Sequence, residues 1–135
     1  MTKILTVGVY DLLHVGHVEL FRRARALGDR LAVAVQDSAS VCRYKPSANV
    51  LYSTEERVQL VGAVRYVDDV VVYQDVDGIV KDVDFDIFVT GPDQTHEGFR
   101  RAVEWCEAHG KQHIVLPRTA GVSTSGLKAS IIQNN

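Results

Sequence analysis

Several things are scarce in this sequence, and each shortage removes a class of protein. Only Cys42 and Cys106 are present among 135 residues, with no Cys-x-x-Cys pair. That excludes a disulfide framework and leaves two idle thiols, as expected in a reducing cytoplasm. Charge of one sign is lacking too: the formal net charge of −2 argues against a nucleic-acid-binding surface, though not against a small basic pocket. There is no long hydrophobic run. The opening residues MTKILTVGVYD carry one lysine and a short apolar-leaning run, too brief for a membrane span and without a cleavage-site pattern. The expectation is a cytoplasmic protein with no membrane partner. Internal repeats, low-complexity tracts and interdomain linkers are absent, as are a G-x-G-x-x-G pattern, a serine-centred nucleophile elbow and a paired-carboxylate spacing that would demand acid–base work.

What remains is enough for one domain spanning residues 1–135. At this length roughly two thirds of the unfolded chain's surface can be buried. Five β-rich runs stand out: 3–9 (KILTVGV), 30–36 (RLAVAVQ), 69–73 (DVVVY), 86–90 (DIFVT) and 112–117 (QHIVLP). Their near-continuous Val, Ile and Leu content fits strands covered on both faces. Helical patterns lie between them. Val18, Phe21, Ala24 and Leu27 form one stripe, ended by Gly28. Ser53 and Glu56 have capping-box spacing ahead of Leu60, Val61 and Val64. Phe99, Ala102, Val103 and Cys106 share a face that ends at Gly110. Weaker helices are predicted over 77–84 and 123–133. Strand alternating with helix predicts an α/β fold, a Rossmann-like, doubly wound, five-stranded parallel sheet.

Such sheets bind ligands beyond the carboxyl ends of their strands. Four chemically unusual stretches follow strands there: VYDLLHVGH, CRYKPSAN, GPDQTHE and RTAGVSTSG. His14 and His17 lie one helical turn apart at a helix start, where free N–H groups and the helix dipole favour an anion, and Gly16 lets that anion approach the backbone. A zinc reading of the same pair lacks a third ligand at short spacing. Ser123, Thr124 and Ser125 offer hydroxyls at a second helix start, and Arg118 upstream can fork onto phosphate oxygens. This stretch is not a Walker A loop, because Leu127 separates Gly126 from Lys128. Arg43 and Lys45, separated by one residue in a loop, would aim the same way if extended. Gly91-Pro92-Asp93 should turn tightly and press backbone against a flat base. Two phosphate cradles and a basic loop on one rim point to a nucleoside triphosphate.

These segments resemble a known family. His14-Val15-Gly16-His17 matches the His-x-Gly-His signature of the nucleotidyltransferase superfamily. Arg118-Thr119-Ala120-Gly121-Val122-Ser123-Thr124-Ser125 resembles the Arg-Thr-Glu-Gly-Ile-Ser-Thr-Thr motif of cytidylyltransferases, and Arg65-Tyr66-Val67-Asp68-Asp69-Val70 resembles their Arg-Tyr-Val-Asp-Glu-Val segment. The resemblance implies transfer of CMP from CTP to a small phosphate or phosphonate, with Mg²⁺ riding on the triphosphate rather than held by protein ligands, and pyrophosphate released. It implies catalytic roles for His14, His17, Lys45 and Arg118. Nucleotide contacts would come from Val9, Tyr10, Val15, Gly16, Gly91, Asp93 and the segment from Thr119 through Ala120, Gly121, Val122, Ser123 and Thr124 to Ser125. Asp11, Arg43, Lys81 and His96 would meet the acceptor, and residues 65–70 would line a homodimer contact.

Departures from the family pattern gather where the acceptor should sit. The family's Thr-Phe after the first strand is Val9-Tyr10, its motif glutamate is Ala120, and its Gly-Asp-Asp-Trp is Gly91-Pro92-Asp93-Gln94. The family lysine between strands 3 and 4 has Lys81 as its nearest counterpart. Glycerol 3-phosphate therefore competes with aminoethyl- or hydroxyethyl-phosphonate and phosphoethanolamine. Alternative readings are an ATP-dependent adenylyltransferase acting on a sugar or flavin phosphate, and a non-catalytic nucleotide-binding module.

Overall fold

Valine, isoleucine and leucine favour strands when both faces of the pleat are covered, and all five runs rich in them pair. In the computed structural model, which describes residues 1–118 and Lys128, the strands are β1 (Lys3–Gly8), β2 (Arg30–Gln36), β3 (Asp69–Tyr73), β4 (Ile87–Thr90) and β5 (Gln112–Val115). They form one parallel sheet in the order β3-β2-β1-β4-β5. Connecting them are α1 (Val15–Ala26), α2 (Ser38–Tyr44), α3 (Thr54–Gly62), α4 (Val76–Asp82) and α5 (Glu97–Ala108). The helix expected over 123–133 lies outside the described residues, Lys128 excepted. No helix among the described residues is long and apolar enough to cross a membrane.

The period of two along each strand sorts its side chains into two cores. Ile4, Leu31, Val33, Val35, Ile87 and Val89 pack with Phe21 and Ala24 of α1 and Val61 of α3. Leu5, Val7, Ala34 and Phe88 face the other way, against Val76 and Val80 of α4 and Phe99, Ala102 and Cys106 of α5. Burying a side chain such as Phe21 or Phe88 completely contributes on the order of 1.5 to 3 kcal/mol, so each helix is held by its stripe rather than by propensity.

The expected caps hold at α3, where the Glu56 N–H donates to Ser53 Oγ (3.1 Å) and the Ser53 N–H to Glu56 Oε1 (2.9 Å). Gly110 ends α5's turn with φ +72°, a conformation that disfavours a Cβ. Gly28 serves differently: a Cβ there would lie 2.7 Å from the Thr2 carbonyl oxygen, so close packing demands glycine. Two core expectations fail. Leu27 is the C-cap of α1 and stays 37% exposed, and Leu60 is 38% exposed because Val61 takes the inward position on α3.

The segment around residue 42 is not an extended loop. Asp37 caps a helix there, its Oδ1 accepting from the Ser40 N–H (2.7 Å), and α2 runs through Tyr44. Residues 65–70 lead into β3, an edge strand, and both of their carboxylates are engaged within the chain. Arg30 forks onto Asp69 (2.7 and 2.9 Å), and Asp68 accepts from the Leu31 N–H at 2.7 Å.

A buried cation ties the strand ends together. Arg57 of α3 is fully buried. Its Nη1 donates to the carbonyls of Val9 (2.9 Å) and Gln36 (2.7 Å), its Nε to that of Tyr52 (3.2 Å), and its Nη2 to Ser38 Oγ (2.8 Å). Burial lowers its pKa, with Asp11 and Asp37 pulling the other way, and a guanidinium stays charged throughout the neutral range. Replacing Arg57 by leucine removes the guanidinium donor from three part-buried carbonyls, those of Val9, Gln36 and Tyr52. The expected loss is about 3 kcal/mol or more of unfolding free energy in urea titration; a loss under about 1 kcal/mol would show that the clasp is dispensable.

Candidate active site

The strand order reverses between β1 and β4, which are neighbours although α1 and α5 depart to opposite faces of the sheet. The loops part there and leave a crevice. It has two lobes. One, about 500 Å³, is lined by Tyr10, His17, Gly91, Arg118 and Lys128 among others; the second, about 590 Å³, by Tyr44, Tyr73, Asp77, His96 and Arg101 among others. Gly8, Val9, Val41, Lys45, Asp93 and Gln94 line both, so the lobes share a wall.

At the mouth of the first lobe the two histidines form a reciprocal cap on α1. The Gly16 N–H donates to His14 Nδ1 (3.0 Å), and the His14 N–H donates to His17 Nδ1 (3.2 Å). The rings stack with centroids 3.9 Å apart and planes 26° apart. A backbone amide is always the donor, so each Nδ1 is an acceptor and each neutral ring carries its proton on Nε2. The sequence suggested that an anion would use the bare amides beside Gly16. Instead the imidazoles occupy those amides and offer Nε2–H groups further out.

Electrostatics keep both rings neutral. Burial and then the neighbouring His14 depress the pKa of His17 to about 4, while burial and the Arg118 guanidinium lower that of His14. A proton on either Nδ1 would also break the cap. Arg118 is ion-paired with Asp93 from the turn after β4, which holds it at the crevice.

The link between β1 and α1 is bent around a buried carboxylate. Tyr10 and Leu12 take positive φ, 57° and 50°, an uncommon conformation for residues with side chains. Between them Asp11, 3% exposed, accepts from the N–H groups of Leu51 (2.8 Å) and Tyr52 (3.0 Å) and pairs with Lys128 Nζ at 2.7 Å. Lys128 also donates to the Asn49 carbonyl (2.6 Å), so the loop before α3 is drawn onto the first lobe. On the β4 side Gln94 does similar work. Its Nε2 donates to the Val7 carbonyl (2.8 Å) and its Oε1 accepts from the Gly91 N–H (3.0 Å), joining the ends of β1 and β4.

Comparison with known proteins bears on this arrangement. A family model described as cytidylyltransferase-like matches residues 5–130. The chain belongs to the cytidylyltransferase-like family. It is 38% identical over 135 residues to the glycerol-3-phosphate cytidylyltransferase of Staphylococcus aureus, covering 97% of this chain and 96% of that one. To the enzyme of the same name from Bacillus subtilis it is 34% identical, covering 97% and 98%. The lipopolysaccharide core biosynthesis protein of Thermoplasma volcanium shares the fold, with a TM-score of 0.71 at 22% identity, covering 88% of this chain and 97% of that one.

For this cytidylyltransferase-like chain, the structure gathers at the crevice Val9, His17, Lys45, Gly91, Asp93, His96 and Arg118, and His14 stands beside it, stacked on His17. Others are placed differently. The Tyr10 ring is 5% exposed and packs edge-on to Phe21 and His17 beneath Gly8, so it belongs to the floor of the first lobe. Val15 is the exposed first residue of α1 and lines neither lobe, and the Gly16 amide is taken by His14. Asp11 lines the first lobe but is engaged there with the Leu51 and Tyr52 amides and Lys128. Arg43 belongs to α2 and turns to Asp75 (3.4 Å) and over the Tyr44 ring, away from Lys45, because a helix does not aim residues i and i+2 alike. Lys81 sits in the last turn of α4, which has by then run back toward the start of β4, at the opposite end of the sheet. Thr119 to Ser125 lie outside the described residues. Arg57, Gln94, Tyr44 and Tyr73 escaped the sequence reading; only Gln94 and Tyr44 had a signal, their places in the unusual stretches GPDQTHE and CRYKPSAN.

The depressed histidines set a pH test. An unfolded His17 takes up a proton near its ordinary value of about 6.5, whereas the folded one resists until about 4. Folding stability should therefore be full above that ordinary value and fall as pH drops toward 4. Imidazole NMR of the free protein should show His17 as Nε2–H tautomer down to about pH 5; a His17 ring titrating at its ordinary value would contradict the cap.

Proposed function

We propose that this protein transfers CMP from CTP to a small phosphate or phosphonate acceptor and releases pyrophosphate. The single observation that carries the reading is the paired lobe: the stacked histidines and Arg118 at one cavity, a second cavity beside it, and Lys45 on the wall between. The printed activity of the S. aureus and B. subtilis relatives, which match over nearly their whole length, supports it.

In this reading the triphosphate lies in the first lobe. An acceptor oxygen attacks the α-phosphorus from the second lobe, forming a new P–O bond as the α–β bond breaks with its electron pair on pyrophosphate. The attacking oxygen is ionised near neutral pH, since a phosphate's second pKa is about 6, so no general base is needed. The protein's part is to hold two anions in line and to stabilise charge growing on the leaving group. Neutral Nε2–H donors suit that task, because they reach the phosphates without requiring a proton transfer, and Arg118 would exchange Asp93 for a phosphate. Mg²⁺ fits as an ion carried by the triphosphate, which takes at most one or two carboxylates from a protein. Asp93, which lines both lobes, is the carboxylate nearest that role. When bound, the metal supplies charge neutralisation on the phosphates.

Incubation with CTP, Mg²⁺ and a panel of small phosphates and phosphonates should yield pyrophosphate and a CMP-bearing product by mass spectrometry. Silence across the panel with CTP binding intact refutes turnover. His14→Ala or His17→Ala should lower kcat by about one to two decades or more, since a hydrogen bond to a charged group is worth about 1.5 to 3 kcal/mol. The same reading includes self-association through residues 65–70. Light scattering at micromolar concentration should give twice 14.9 kDa, and a clean monomer would overturn that part.

A further inference from the structure

Gln94 stands where a backbone hydrogen bond is missing. β1 and β4 pair in the register Ile4↔Ile87, Leu5↔Phe88 and Thr6↔Val89. Continued by one step, a parallel ladder in this register would next join the Gly91 N–H to the Val7 carbonyl. The neighbouring β4–β5 ladder does continue in that way, the Leu116 N–H donating to the Thr90 carbonyl at 2.9 Å. Between β1 and β4 the side-chain amide of Gln94 takes both ends of the rung instead. Its Nε2 donates to the Val7 carbonyl (2.8 Å) and its Oε1 accepts from the Gly91 N–H (3.0 Å). Only this orientation of the amide satisfies both groups, since a carbonyl needs a donor and an N–H an acceptor. The side chain is aimed by its own turn, in which the Gln94 N–H donates to the Gly91 carbonyl (3.2 Å) and Pro92 follows Gly91.

We infer that Gln94 is a positioning residue, a wedge one amide wide that holds β1 and β4 apart and so fixes the gap between the two walls that meet a triphosphate. Its functional half rests on the nucleotidyl-transfer reading; the wedge itself does not. On the β1 wall, Val7 immediately precedes Gly8, beneath which the Tyr10 ring lies edge-on to His17 with centroids 5.4 Å apart. On the β4 wall, Gly91 and Gln94 close the turn that carries Asp93, the partner of Arg118. A ligand gripped by the histidines from one side and by Arg118 from the other depends on that separation, because preorganised donors act only at the right distance. With an apolar side chain in place of the amide, the Val7 carbonyl and the Gly91 N–H would be left to each other, and the walls would draw together.

Calorimetry with CTP and Mg²⁺, which needs no turnover, tests the wedge in the intact protein. Near neutral pH, Gln94→Leu should bind CTP about tenfold more weakly than wild type, or worse. Gln94→Glu should be weak there too, because a carboxylate accepts from Gly91 but has no proton for Val7. Once protonated, the same side chain regains an O–H donor. The ratio of wild-type to Gln94→Glu affinity should therefore fall about threefold or more as pH drops to about 5, where a carboxyl raised by burial takes up its proton. Other titrating groups of the two lobes, among them His17, Asp93 and His96, are common to both proteins and cancel in the ratio. The leucine variant separates loss of the wedge from the added charge. A folded leucine variant that binds CTP as tightly as wild type, or a ratio indifferent to pH, overturns the inference. Should both variants fail to fold, NMR of the wild type decides. Scalar coupling across the hydrogen bond should link the Gly91 nitrogen to the side-chain carbonyl carbon of Gln94, and coupling to the Val7 carbonyl carbon instead overturns the wedge. Wild type that binds CTP yet releases no pyrophosphate with any acceptor overturns nucleotidyl transfer and leaves the wedge to be judged by these readouts. Wild type that binds no CTP overturns both the transfer reading and the positioning role.

Discussion

The guanidinium of Arg57 is the contact on which the rim depends. At the carboxyl edge of a parallel sheet the last carbonyls emerge with no strand partner, and each needs a donor if it is buried. Arg57 meets the carbonyls of Val9 and Gln36, at the ends of adjacent strands, and that of Tyr52 just before its own helix. A planar fork can serve several acceptors in fixed directions, which an ammonium cannot. Burying such a charge is expensive unless its donors are used, and here they are. Because Asp11 binds the N–H groups of Leu51 and Tyr52, the same loop is gripped from both its donor and its acceptor sides. The crevice walls on the β1 and β2 side are thereby set before any ligand arrives.

On that base the histidines act as extensions of the backbone. The helix-start amides of His14 and Gly16 are not left open for an anion; two imidazoles take them and present their own N–H groups beyond. His96 repeats the device at α5, its Nδ1 accepting from the Gly98 N–H at 3.2 Å, with the ring against Phe99. Two helices that leave the sheet on opposite faces therefore start with the same kind of cap, one at each lobe. At α1 a neutral histidine is both a structural cap and a directed donor, and burial keeps the proton affinity of His14 and His17 low.

Much of the architecture was legible because it is local. Strand runs at 30–36 and 69–73 coincide with the observed strands, and Ser53 with Glu56 cap α3 as their spacing required. The four unusual stretches were assigned to one rim by the rule for parallel sheets, and the described parts of them do meet there. The misses have physical causes. CRYKPSAN reads as a loop because its polar residues hide the short α2, and that error in backbone geometry carried Arg43 with it. Tyr10 reads as a surface residue after a strand, but positive φ at 10 turns its ring under Gly8. Arg57 sits among Glu55, Glu56 and Gln59 on a polar helix face, with no local hint of the carbonyls that wait for it.

By itself the sequence determined the strands, most of the helices, the doubly wound parallel class and the chemical type of each rim segment. These follow from side-chain period, caps and chain connectivity, all properties of neighbours in sequence. Only tertiary structure decided which polar groups are satisfied by one another and which are left to face a ligand. Asp11, Arg43, Arg101 and Arg57 are spent within the protein, while Lys45 and the outer nitrogens of His14 and His17 have no partner among the described residues. That division depends on distances between residues far apart in the chain, Asp11 and Lys128 among them, and no local pattern encodes it.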